Sequence, residues 1–152
     1  MHGFRESSLL CRVGNLLCAL PLEHVEETMR PLAIEPLAGA PAFVRGLAVV
    51  RGIAVPVVDA AALLGVGIGR PTRFVSVKAG SRRVALAVDA VEGIRRIPPA
   101  SLDALPPLLG NSNADAISAV GTLDAELFLV LRSGRLVPDD LWATLKTDSS
   151  VA

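Results

Sequence analysis

The chain has 152 residues, a balanced charge and a core that must be built almost without aromatic side chains. Hydrophobic residues make up 51% of the sequence and aromatic residues only 3%, and 15 basic residues balance 15 acidic ones. This length fits a single domain, residues 1–152, which can bury about two-thirds of its unfolded surface without a metal or a disulfide. The neutral charge and the scarcity of stacking aromatics argue against nucleic-acid binding. No uninterrupted apolar run is long enough to span a bilayer, so no direct membrane insertion is expected.

The first apolar segments predict a β-hairpin. Ser8–Val13 and Leu16–Leu20 flank Gly14-Asn15, a two-residue turn signal. This register places Cys11 opposite Cys18 on one face, and we expect two small core side chains there. A redox pair is the less favoured alternative.

The same N-terminal segment is apolar enough to resemble a secretory signal. Arg12 interrupts its apolar run, and no small-residue cleavage site is clear. We therefore expect a cytoplasmic protein with reduced thiols.

A short helix is predicted to follow the first hairpin. Pro21 suits a first helical turn, and Leu22, Val25 and Met29 have helical spacing. His24 on this helix is more simply a solvated residue than a catalytic base.

Pro41–Asp59 is the most distinctive stretch. It contains two apolar strand-like runs, Leu47–Val50 and Ile53–Val58, joined through Arg51-Gly52. A guanidinium at the bend between two buried strands is held near the surface. This pattern favours a presented recognition residue over a catalytic centre.

The same plan recurs after a Gly-rich boundary at Val66–Pro71. Arg73–Lys78 and Arg83–Val88 form a second hairpin around Gly80-Ser81, and a short helical segment is expected after Asp89. A last hairpin and a closing helix follow at Ala116–Leu123, Leu127–Leu131 and residues 137–146. The sequence thus predicts a mostly β protein with a few short helices, in two small β-barrel subdomains packed together, approximately residues 8–65 and 71–132.

Few residues indicate catalysis. Asp59 and Asp89 each end an apolar strand, and we interpret both as caps of a following helix, with a carboxylate pair as the alternative. No Cys or His pair has the spacing of zinc ligands. The alternating glycines after Leu64 lack the residues of a phosphate-binding loop. We therefore expect no enzyme, cofactor or metal.

Four segments in order resemble the CheW family of chemotaxis coupling proteins. They are ALPLEHVEE, GAPAFVRGLAVVRGIAVPVVD, RFVSVKAGSRRVALAVDAVEGI and ISAVGTLDAELFLVL, and the resemblance runs from about Leu9 to Leu145. It implies two packed five-stranded barrels. It also implies a cytoplasmic, non-enzymatic adaptor that joins the hairpin tips of chemoreceptors, in arrays at the inner face of the membrane, to the regulatory domain of a CheA-type histidine kinase.

The resemblance also implies a set of partner-binding residues. Arg51 and Gly52 match the family's Arg-Gly motif, and Val25 and Glu27 match its Val-x-Glu in the first helix. Apolar positions bordering a groove between the barrels match Val91 and Ile94. A receptor helix would lie in this groove.

Two other functions remain open from the sequence. One is a CheW-like scaffold in a non-flagellar pathway, such as surface motility or second-messenger control. The other, less favoured, is a small-ligand-binding or enzymatic barrel that uses Asp59 and Asp89.

Overall fold

The computed structural model describes residues 7–67, 70–103 and 114–143, which form two β-sheets with short connections. The strands are β1 (Ser7–Val13), β2 (Leu16–Pro21), β3 (Val25–Met29), β4 (Val44–Val50), β5 (Ile53–Asp59), β6 (Arg73–Ala79), β7 (Arg82–Val88), β8 (Ala90–Arg96), β9 (Leu102–Asp103), β10 (Ile117–Leu123) and β11 (Glu126–Leu131). Helix α1 spans Ala60–Leu64, and residues 139–143 are also helical. Single 3₁₀ turns lie at Leu22–His24, Pro99–Ser101, Ala114–Ala116 and Ser133–Arg135. The prediction of a mostly β protein with short helices is confirmed.

Both sheets are mixed and have an open strand order. The six-stranded sheet runs β8-β1-β2-β11-β10-β9, and the five-stranded sheet runs β3-β6-β7-β5-β4. Each has one parallel pair, β2 with β11 and β5 with β7, among antiparallel neighbours. The predicted closed barrels are therefore not seen. In the five-stranded sheet one bridge, Glu35 to Leu47, links the segment after β3 to the edge strand β4.

The two sheets exchange hairpins along the chain. Strands β1 and β2 lie in the six-stranded sheet, whereas β3, β4 and β5 lie in the other. Strands β6 and β7 also lie in the five-stranded sheet, whereas the later strands β8, β10 and β11 return to the six-stranded sheet. Neither sheet therefore corresponds to the predicted subdomain bounds of 8–65 and 71–132.

Three apolar cores explain the continuous buried runs in the central strands. A shared core between the sheets includes Leu20, Val77 and Leu86. Each sheet also encloses a smaller core on its other face, around Phe74 in the five-stranded sheet and Phe128 in the six-stranded sheet. A strand buried on both faces loses the usual alternation of apolar and polar residues.

The hairpin registers agree with the sequence prediction. Cys11 pairs with Cys18 across Gly14-Asn15, and Val77 pairs with Val84 across Gly80-Ser81. Both cysteines are free thiols with no exposed surface. Burial raises the pKa of each thiol to about 12, as expected of small core side chains.

Two predicted helices are wrong. A β-bulge explains the second error, whereas Val25 and Met29, whose spacing suggested the first helix, pack against different cores from opposite faces of β3. Residues 25–29 form strand β3, preceded only by a 3₁₀ turn, and the segment after Asp89 is strand β8. In β3 the register shifts between Val25 and Glu27. In β8 it shifts between Val91 and Gly93. An extra residue in a strand puts positions three apart on the same face. This spacing imitates a helix.

The last elements are partly described. Strands β10 and β11 confirm the final hairpin, and residues 139–143 lie within the predicted closing helix of 137–146. Residues 144–146 of that helix, and much of the predicted irregular segment at 98–115, lie outside the described residues.

Candidate partner-binding site

Arg51 and Gly52 form the turn between β4 and β5. Their φ angles are +54° and +78°, the left-handed pair that a two-residue hairpin turn requires. Glycine adopts this conformation freely, whereas a residue with a Cβ atom is strained there. Because an arginine is strained in this conformation, we expect its side chain to have a functional role.

The Arg51 side chain forms a bidentate ion pair with Glu27 of β3. Its Nε lies 2.9 Å from Oε2 of Glu27, and its Nη2 lies 3.0 Å from Oε1. These hydrogen bonds hold the pKa of the Glu27 carboxyl below its usual range and raise the pKa of Arg51. The guanidinium is still presented to solvent, with 72% of the Arg51 side chain exposed.

The two partners meet because the five-stranded sheet curls. Strands β3 and β4 lie at opposite ends of its strand order, yet the Glu35–Leu47 bridge draws the two edges together through hydrogen bonds of 2.8 and 2.9 Å. The β4–β5 turn thereby comes within reach of Glu27. The sequence prediction had placed Glu27 on a helix, and the structure places it on an edge strand instead.

The bulge in β3 also separates two neighbouring glutamates. Glu27 lies opposite Ser76, while Glu26 is the residue without a partner in the ladder. Glu26 pairs with Arg83, whose Nε lies 2.9 Å from Oε1. One short strand therefore binds one arginine from each of two hairpins.

The predicted apolar residues face the shared core side. Val25 lies opposite Val77, and both Val25 and Val91 are half-buried against the shared core. Val91 and Ile94 face the same side of β8, because they lie opposite Cys11 and Leu9, which are two residues apart. Ile94 remains 57% exposed.

The space between the sheets is a packed core and not the open groove that the sequence analysis anticipated. The side chains that fill it come from both sheets, α1 and the closing helix. Val25 and Val91 lie at the partly exposed margin of this core. A partner contacting them would lie along the margin.

Asp59 and Asp89 are engaged separately. Asp59 caps α1, accepting from the backbone N–H groups of Ala61 and Ala62 at 3.0 and 3.3 Å, and its other oxygen pairs with Arg45. Asp89 begins no helix, so that its predicted capping role is wrong.

The Asp89 carboxylate instead joins two backbone segments. Its oxygens accept from the backbone N–H of Gly14 at 2.7 Å and of Arg70 at 3.0 Å. Both aspartates thus hold structure, and the arrangement does not support the enzymatic or ligand-binding alternative.

Sequence reasoning missed a second charged cluster, which joins three strands of the six-stranded sheet. Arg12 of β1 hydrogen-bonds Glu92 of β8 at 3.1 Å and both oxygens of Glu126 of β11. This contact lowers the pKa of Glu126 and raises that of Arg12. The polar residue at position 12 of an apolar strand was the only available signal, since its partners depend on the sheet order.

The described parts of the chain contain no cluster of three or more His, Cys, Asp or Glu side chains suited to a metal ion. In the same residues, no helix has the length and apolarity required to cross a membrane. His24 contacts the hydroxyl of Ser133 at 3.4 Å.

These features define a mostly β domain built from two mixed sheets, with an exposed ion pair at a hairpin turn. Comparison with known proteins gives its family. A family model described as the CheW-like domain matches residues 7–140, and the chain belongs to this family. Proteins of the CheW family are non-enzymatic scaffolds of chemosensory signalling.

Two relatives illustrate the match. The chain is 39% identical to Protein FrzA of Myxococcus xanthus over 113 residues, which cover 72% of this chain and 69% of FrzA. Its fold is similar to that of the scaffolding protein TtCheW from Thermoanaerobacter tengcongensis. That comparison has a TM-score of 0.77 and 21% identity, and it covers 87% of this chain and 92% of TtCheW.

Proposed function

We propose that this protein is a cytoplasmic adaptor that couples the hairpin tips of chemoreceptors to the regulatory domain of a CheA-type histidine kinase. The observation that carries this proposal is the Arg51–Glu27 ion pair. It holds an exposed guanidinium in a strained turn, on a chain that belongs to the CheW-like family. A side chain fixed in this way loses less conformational freedom when a partner binds it.

The candidate residues divide into two groups by their surroundings. Arg51, Gly52 and Glu27 form a polar edge, where charge sets the orientation of a partner and its rate of association. Val25, Val91 and Ile94 lie on the shared core side of their strands and offer apolar contact to a helix. The receptor tip would contact this apolar margin.

A CheW-like scaffold in a non-flagellar pathway is the second candidate. The 39% identity to Protein FrzA favours it. Affinity capture with the chain as bait, using receptor fragments and kinases from chemotaxis and from surface-motility pathways, distinguishes the two candidates by the partner retained.

The first candidate is tested by Arg51→Ala in a kinase assay reconstituted with receptor fragments. We expect kinase stimulation to fall and partner binding to weaken by about tenfold or more, as for a central arginine of an interface. Arg73→Ala is the matched control, because it removes an exposed arginine from the start of β6. If both variants stimulate the kinase as the natural chain does, Arg51 has no role in coupling.

A further inference from the structure

A second surface feature lies beside the closing helix. It is a depression of about 330 Å³ between the start of β5, the β6–β7 turn and residues 139–143. Its apolar lining comes from Ile53, Ala54, Val55 and Trp142. Ile53 is 49% exposed, which leaves apolar surface available for contact.

The charge of this depression is one-sided. Among the residues that the structure describes, Arg82 and Arg83 line it and no carboxylate does. Arg83 is neutralised by its ion pair with Glu26. Arg82 stands over the Trp142 ring, 4.8 Å from its centroid, and has no ion pair with any carboxylate of the described residues. Within the described part of the chain, the positive charge of Arg82 is therefore left without a carboxylate partner.

The position of Arg82 follows from the sheet register. Arg82 lies opposite Ala79, two residues beyond the Val77–Val84 pair, so its side chain shares the face that packs on the shared core. Trp142 is 9% exposed and belongs to that core. Stacking on an indole face fixes the plane of a guanidinium while its N–H groups at the edge stay available to donate.

We propose that this depression binds a protein segment in which a carboxylate side chain adjoins a large apolar one. Arg82 would receive the carboxylate in a two-point, charge-assisted contact. The apolar side chain would cover Ile53 and the exposed edge of Trp142. The volume accommodates one such side chain with its neighbouring backbone.

The native fluorescence of the chain gives a direct test. Trp142 is its one tryptophan, so a titration with the acetylated, amidated peptide Asp-Leu-Phe-Glu-Asp reports only on this depression. We expect saturable binding that weakens with added salt. A peptide with lysines in place of the acidic residues should leave the emission unchanged.

Two variants of the full chain complete the test. Arg82→Gln should weaken peptide binding by about tenfold or more, whereas Arg73→Gln, which removes an arginine at the opposite end of β6, should not. Circular dichroism checks that both are folded. Equal binding by the two variants, or no binding by the natural chain, overturns the proposal.

The chain's own C-terminal residues are the competing occupant. Binding that appears only after deletion of residues 144–152 would assign the depression to them and overturn the proposal. Neither receptor nor kinase enters this experiment, so its failure is distinguishable from failure of the coupling function.

Discussion

Gly46→Ala tests whether the edge contact in the five-stranded sheet positions the Arg51–Glu27 pair. Gly46 has φ +144°, and a Cβ atom there would lie 2.0 Å from the Glu35 carbonyl oxygen. That oxygen accepts from the Leu47 N–H, so the clash is relieved only by opening the Glu35–Leu47 bridge. The two lost hydrogen bonds cost about 1 kcal/mol each, and the backbone conformation costs about 1 kcal/mol more.

The expected destabilisation of about 3 kcal/mol is measurable by urea unfolding, and it corresponds to a fall in Tm of about 6–12 °C. Gly134→Ala is the matched control, since nothing lies within 4 Å of a Cβ atom built there, and its stability should change by less than about 0.5 kcal/mol. Kinase coupling should fall in the Gly46 variant, because the bridge holds the β4–β5 turn near Glu27. Equal stability of the two variants would refute the claim that this contact holds the sheet edges together.

Two further predictions concern titration. Burial raises the pKa of Cys11 and Cys18 to about 12, so the native state keeps protons that the unfolded state releases, and the free energy of unfolding should fall as pH rises from about 9 to 12. Replacing both cysteines by alanine should flatten this dependence in urea unfolding, and an unchanged slope would contradict it. The Arg51 hydrogen bonds lower the pKa of Glu27, so the pair stabilises the fold above the ordinary Glu pKa and is lost as pH falls through the lowered value. Carboxyl NMR should give Glu27 a depressed midpoint that returns to the ordinary range in Arg51→Ala, and identical midpoints would refute the pairing in solution.

Local patterns predicted the hairpins correctly. A two-residue turn with glycine fixes which residues lie opposite each other, so the Cys11–Cys18 and Val77–Val84 pairs follow from the sequence alone. Asp59 as a helix cap is equally local, because the N–H groups that donate to its carboxylate lie two and three residues away.

The errors arise where a bulge or a distant partner decides the structure. Val91 and Ile94 have helical spacing but share one face of a strand, since a bulge shifts the register between them. The family resemblance pointed to both Arg51 and Glu27, but their ion pair could not be predicted. The two residues lie 24 positions apart in the sequence, and they meet only because the sheet curls.

The exchange of hairpins between the sheets could not be predicted from the sequence either. The sequence shows that the plan recurs, but it carries no local signal that β1 and β2 pair with strands from the other part of the chain. Parallel contacts between β2 and β11, and between β5 and β7, create that arrangement. They join segments far apart in sequence and depend on how complete sheets pack.

Sedimentation of a three-component mixture tests the central claim most directly. The chain, a receptor hairpin fragment and the regulatory domain of a CheA-type kinase are analysed by ultracentrifugation, separately, in pairs and together. We predict one complex that contains all three and forms only when this chain is present. If receptor fragment and kinase domain displace each other from the chain, or if neither binds it, the protein does not couple them.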